Sequence, residues 1–255
     1  MTPIPRVLCA LLLLCLAAGS GLARAGEARA AVASNFLHTC EALAEDFHAR
    51  SGHRLRISSA STGKLYAQIR AGAPFDLLLA ADTQTPRRLV SESLAQADTV
   101  HDYALGRLVL WSRDPGRIGD GEALLRGGDI PRLAIANPAL APYGAAAREV
   151  LQRLGRWEAL QPALVQGENV GQAMQFVATG AAPLGLLPRS QVQEAERQAR
   201  GSGWEIPADW HAPIVQSAVL LIRGSDNPAA RAFSDYLRSA PARAIVREHG
   251  YDRVD

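Results

Sequence analysis

From Ala30 onward the chain repeats one construction: a short apolar run, a loop of small or hydroxyl residues, and then apolar residues at helical spacing. "AAVA" leads into "SNF", "RLRISSA" into "STGK", and "RLAIA" into "NPALAPYG". "GENVGQA" opens a fourth helix after a less distinct run. Apolar runs alternating with amphipathic helices predict an α/β protein.

The individual elements follow from period and punctuation. Phe36, Leu37, Cys40, Leu43, Ala44 and Phe47 recur on one helical face, with Ser34 and Asn35 at the start and Gly52 at the stop. "GKLYAQIRAG" predicts a second helix, entered at Ser61 or Thr62 and ended by Gly72. "FDLLLAAD" reads as a buried strand with Asp76 and Asp82 at its ends. Further strands are expected over Gly106–Arg113, Arg132–Pro138, Ala182–Pro188 and Ile214–Arg223. A helix is expected over "AAAREVLQRLG", another over "ENVGQAMQFVATG", and two close the chain, with Asn227 as cap and Pro228 at the first position. A final strand and helices placed after a βα-rich middle suggest a chain that leaves its first domain and returns to it.

The first residues read as a leader. Arg6 precedes the apolar "VLCALLLLCLAAGSGLA", and "ARA" ending at Ala25 has the small-x-small form of a signal peptidase site. A second such triplet ends at Ala30, and a lipoprotein anchor at Cys15 is the minor alternative. Cleavage after Ala25 removes two arginines and no acid, so the net charge of +2 falls to zero. A neutral chain with 5% aromatic residues offers neither an electrostatic nor a stacking surface for nucleic acid. Cleavage also removes Cys9 and Cys15, leaving Cys40, which shares a helix face with Phe36 and Leu43 and is expected in the core.

The four loops carry the chemistry. In an α/β sheet, ligands bind beyond the carboxyl ends of strands, where such loops lie. Each helix start presents unpaired N–H groups and roughly half a positive charge. Candidate donors are Ser34, Asn35, Ser61, Thr62, Gly63, Tyr143 and the backbone of Val170. The loops contain no Asp, Arg or Lys among these donors, and Glu168, the nearest acid, is expected to point away. Such a set suits an oxyanion that only accepts hydrogen bonds. The plainer alternative is that Ser, Thr and Asn are ordinary helix caps, Lys64 a solvated helix residue and Tyr143 a surface residue. Asp76 and Asp82 read as structural strand-end residues or, alternatively, a catalytic pair. The six histidines show no metal-ligand or triad spacing.

At these loops the sequence resembles the periplasmic molybdate-binding proteins of ABC importers. The resemblance runs from "AVASNF" to "REHGY" and is most specific in "STGKLYAQIRAGAPFDLLLAAD", with "NVGQAMQFVATGAAPLG" and "FSDYLRS" in support. It implies a two-lobed type II periplasmic binding fold with the ligand cleft between lobes, roughly 26–106 plus 219–255 and 107–218, crossing near Gly106 and near Ser217 to Val219. It implies no enzymatic activity and no cofactor. The ligand would be molybdate or tungstate, met by Ser34 and Asn35, by Ser61 and Thr62, by Tyr143 and by Val170. Metal would enter only as molybdenum inside the oxyanion, near Ser34, Thr62 and Val170. Where one branch of the family has a further Tyr, this chain has Pro188, so that contact is lost. The resemblance also implies a monomer in the periplasm that delivers its ion to an inner-membrane permease. A receptor for sulfate, or an enzyme on the same fold, is the competing expectation.

Overall fold

The computed structural model describes residues 25–198 and 201–254. The expected leader up to residue 24, with Cys9 and Cys15, lies outside the described residues.

Two five-stranded sheets form the framework. The first holds β1 (Glu27–Ala33), β2 (Arg54–Ala60), β3 (Leu77–Ala80), β4 (His101–Gly106) and β10 (Ile214–Leu220), in the order β2-β1-β3-β10-β4. The second holds β5 (Leu108–Ser112), β6 (Leu133–Ala136), β7 (Leu164–Gly167), β8 (Leu184–Pro188) and β9 (Ser202–Glu205), in the order β7-β6-β8-β5-β9. Three strands of each sheet are parallel, β1 with β2 and β3, and β6 with β7 and β8. The strands beside the crossings, β10 and β5, run antiparallel to their neighbours.

Helices cover both faces, as parallel strands require. They are α1 (Leu37–Ser51), α2 (Thr62–Arg70), α3 (Gln84–Ser91), α4 (Gly121–Gly127), α5 (Pro142–Arg153), α6 (Trp157–Leu160), α7 (Val170–Ala178), α8 (Arg189–Gln198), α9 (Pro228–Leu237) and α10 (Ala240–Glu248). Alternation along β1 sends Ala30 and Val32 into a core with Phe36, Leu43 and Phe233, and Ala31 into the opposite core with Leu65 and Leu89. Cys40 is fully buried in the first of these, and burial pushes its thiol far above the ordinary range. That makes it a core residue rather than a nucleophile.

Strand register places the loops. Ala33 lies opposite Ala60, and Val32 opposite Leu79, so "SNF" and "STG" leave the first sheet side by side. In the second sheet Ala136 lies opposite Gly167, so 137–141 and 168–169 also leave together.

The structure corrects three expectations. The strand expected over Gly106–Arg113 is the end of β4 plus β5, and the chain passes between sheets at Arg107. The return expected near Ser217 to Val219 falls inside β10, which pairs with β4 from Ile214 onward. The passage therefore lies at 206–213, and a bulge between Gln216 and Ser217 marks the expected position instead. Helix α5 begins at Pro142, because proline suits the first helical position, so Tyr143 stands in its first turn.

Candidate anion-binding site

Six of the seven expected residues line one cavity of about 10 Å³ between the sheets: Ser34, Asn35, Ser61, Thr62, Tyr143 and Val170. Larger grooves of about 400 and 630 Å³ lie nearby. Chemistry rather than volume singles out the small cavity, because two of its hydroxyls, Ser61 Oγ and Tyr143 OH, are buried without a partner. A buried polar group left unpaired costs about 1–3 kcal/mol, so two in one cavity mark a place made for a polar guest.

Ser61 occupies the N-cap of α2, yet its side chain caps nothing. An N-cap serine normally accepts from the first turn; here the hydroxyl remains available. Thr62 Oγ1 accepts from the Ala81 N–H at 3.1 Å, which leaves its own proton to donate. Val170 opens α7, and the Asn169 side chain before it accepts from Gln172 N–H at 3.1 Å. The Val170 N–H, in the first turn, has no partner within the helix. Tyr143 is 2% exposed, which overturns the surface reading, and burial raises its phenol pKa well above normal, keeping the proton on. Glycine at 106 is what admits this phenol, since a Cβ there would lie 2.0 Å from Tyr143 OH.

Two expected donors are corrected. Both hydrogens of the Asn35 side-chain amide are committed, to Gln216 Oε1 at 2.8 Å and Tyr251 OH at 2.9 Å. Burial at 4% exposure demands such partners, so the Asn35 side chain has no hydrogen left for a guest. Gly63 lies outside this cavity, and its N–H donates across the cleft to Leu140 O at 2.9 Å. Gln216, Tyr251, Ser190 and Gln191, which surround Asn35, were absent from the sequence reading. The glutamine interrupting the apolar "IVQSAVLL" is the sequence signal that could have pointed to such a network; the structure buries it fully.

No Asp, Glu, Lys or Arg lines the cavity. Glu168 turns to Lys64 Nζ at 2.6 Å, so Lys64 is a partner across the cleft and not merely a solvated helix residue. Asp76 accepts from Arg29 N–H at 2.7 Å and from Asn227, while Asp82 accepts from Thr85 N–H at 2.7 Å at the start of α3. These are structural tasks. Pro188 ends β8 opposite Leu108 and supplies no donor. Among the described residues, no group of three or more His, Cys, Asp or Glu is placed to hold a metal.

A two-sheet α/β framework with a small polar cavity between its halves defines a solute-binding protein of the periplasmic type. The family model for bacterial extracellular solute-binding proteins matches residues 28–252, and the chain belongs to that family. Molybdate-binding protein ModA of Azotobacter vinelandii is 45% identical over 242 residues, covering 93% of this chain and 96% of the relative. ModA of Rhodobacter capsulatus is 44% identical over 229 residues, covering 90% and 89%. The solved periplasmic molybdate-binding protein of Azotobacter vinelandii superposes with a TM-score of 0.85 at 37% identity, covering 89% of this chain and all of that one. These relatives are binding proteins, not enzymes.

Proposed function

We propose that the chain captures molybdate, and tungstate with it, in the periplasm and presents the loaded form to an ABC permease. The observation that carries this reading is a carboxylate-free cavity where Ser34, Ser61, Thr62, Tyr143 and Val170 converge with two buried hydroxyls unpartnered. The names of the relatives that match nearly its whole length support the choice of ion. The N-terminal leader is removed on export, no cofactor is needed, and the mature chain works as a monomer.

Binding follows from neutral donors. Each hydrogen bond to a charged group contributes about 1.5–3 kcal/mol, reduced overall by desolvation of the ion and by the cost of closing the cleft. The helix starts at Thr62, Pro142 and Val170, and the 3-10 turn Ser34–Phe36 that leads into α1, add favourable potential for an anion without a formal charge in the wall. A wall without a proton acceptor favours a fully deprotonated ion. The lobes are the units built on the two sheets, 26–106 with 214–255, and 107–205, and they rotate about the adjacent passages. Sulfate carries the same charge in a smaller frame, so it meets fewer of these donors at proper distance.

Calorimetric titration of the mature chain with molybdate, tungstate and sulfate tests the assignment. Tight binding of the first two with weak sulfate binding is expected; equal binding of sulfate removes it.

A further inference from the structure

Resting on that reading of the cavity, we propose that Gln191 and Tyr251 are positioning residues for the anion site, setting the direction of an N–H group that they do not themselves supply. Gln191 belongs to α8 beyond the second sheet, and its Nε2 donates to Ser34 O at 3.1 Å. Tyr251 follows α10 on the first-sheet side, and its hydroxyl donates to Asn35 O at 2.7 Å. Ser190 Oγ joins the same carbonyl at 3.2 Å and reaches Tyr251 OH at 3.1 Å.

The geometry of the peptide group gives these contacts their meaning. A planar trans peptide points its N–H opposite to its C=O. The Ser34 carbonyl shares a peptide with the Asn35 N–H, and the Asn35 carbonyl shares one with the Phe36 N–H. Ser34–Phe36 form a 3-10 turn in which the Phe36 N–H already meets Ala33 O, so the outside contact on Ser34 O sets the direction of the Asn35 N–H, which has no partner within the turn, and the contacts on Asn35 O hold the turn from its other side. Asn35 cannot rotate to compensate, because its side chain is tied to Gln216 and Tyr251. A donor on the carbonyl also polarises the peptide and strengthens its N–H as a donor.

Gln191 is 8% exposed, and its Oε1 has no partner. The amide is thus placed for its donor end, which faces a carbonyl. Because Ser190 and Gln191 follow β8 of the second sheet while Ser34 and Asn35 follow β1 of the first, the second lobe completes the wall of the first.

The test uses the mature chain with Gln191→Met, Tyr251→Phe and, as the mildest change, Ser190→Ala, which carries the argument should Tyr251→Phe not fold. Molybdate affinity is measured by calorimetry, the ligand-free melting temperature by circular dichroism, and the bound-state Asn35 amide proton shift by NMR. Gln191→Met and Tyr251→Phe are each expected to weaken binding about tenfold. The bound-state Asn35 amide proton should move upfield, with the ligand-free melting temperature little changed for Gln191→Met and lowered for Tyr251→Phe, which leaves the Asn35 amide and carbonyl short of a buried partner. Affinities within twofold of wild type overturn the proposal. So does a weakened variant whose Asn35 amide shift matches wild type, since that loss would be structural. A wild-type chain that binds none of molybdate, tungstate and sulfate overturns the functional reading itself, and this inference with it.

Discussion

Ser61 and Tyr143 hold buried hydroxyls with no partner in the cavity wall. Their removal should affect stability and binding in opposite ways. Ser61→Ala deletes a buried group without breaking a bond, so the ligand-free protein should gain up to about 1 kcal/mol in urea unfolding. The same change should weaken molybdate binding by roughly tenfold to a hundredfold, as loss of a charge-assisted hydrogen bond. Calorimetry and denaturation on one preparation check both signs. The phenols also make an alkaline prediction. Burial raises the pKa of Tyr103, Tyr143 and Tyr251, so the native state keeps protons that the unfolded chain releases near pH 10. The unfolded state then binds fewer protons, and stability must fall as pH rises above about 10, by up to about 1.4 kcal/mol per pH unit for each group. Urea titrations between neutral and strongly alkaline pH measure the slope; a flat profile contradicts it.

At the level of elements, two glycines decide how closely helices approach the cleft. A Cβ at Gly63 would lie 3.1 Å from Leu140 O and 3.2 Å from its Cα, both belonging to the opposite side. Gly63→Ala should hold the start of α2 away from residues 138–141 and weaken binding several-fold through faster dissociation, measurable by stopped-flow. Gly106→Ala should be harsher, because its Cβ meets the Tyr143 hydroxyl, and at least a tenfold loss of affinity is expected by calorimetry. The sequence disclosed much at this scale. Short loops of Ser, Thr and Asn after apolar runs located the helix starts around the cavity, and the parallel register then brought them together. Other features were hidden for physical reasons. Isoleucine and valine in β10 look alike in either sheet, so the return passage was misplaced; only pairing with β4 reveals membership. Asn35 as a donor through its side chain was misread, since its partners Gln216 and Tyr251 lie 181 and 216 residues away. Helix α8, "RSQVQEAERQ", has too few apolar residues for its period to stand out, so Ser190 and Gln191 were not expected near the site.

For the whole molecule, the cleft is bridged by an exposed ion pair as well as by the cavity. Lys64 and Glu168 meet at 2.6 Å with side chains 41% and 63% exposed, so solvent screening limits the pair to about 0.2–1 kcal/mol. Lys64→Met should accelerate molybdate release by no more than about fivefold, with the difference vanishing at high salt. Exchanging both charges, Lys64→Glu with Glu168→Lys, should restore the wild-type rate in stopped-flow. A large, salt-independent effect would mean that Lys64 acts on the ion directly.

The end of the chain is fastened over the first passage between the sheets. Leu105 and Asp252 exchange backbone hydrogen bonds of 2.9 Å, and the Asp252 carboxylate accepts from Arg107 at 2.6 Å and from Arg189. Force applied to this tail is delivered to the passage at Arg107. A dye attached beside Asp252 would report the proposed rotation of one half against the other, whereas a bulky tag in the same place would act as a brake on it.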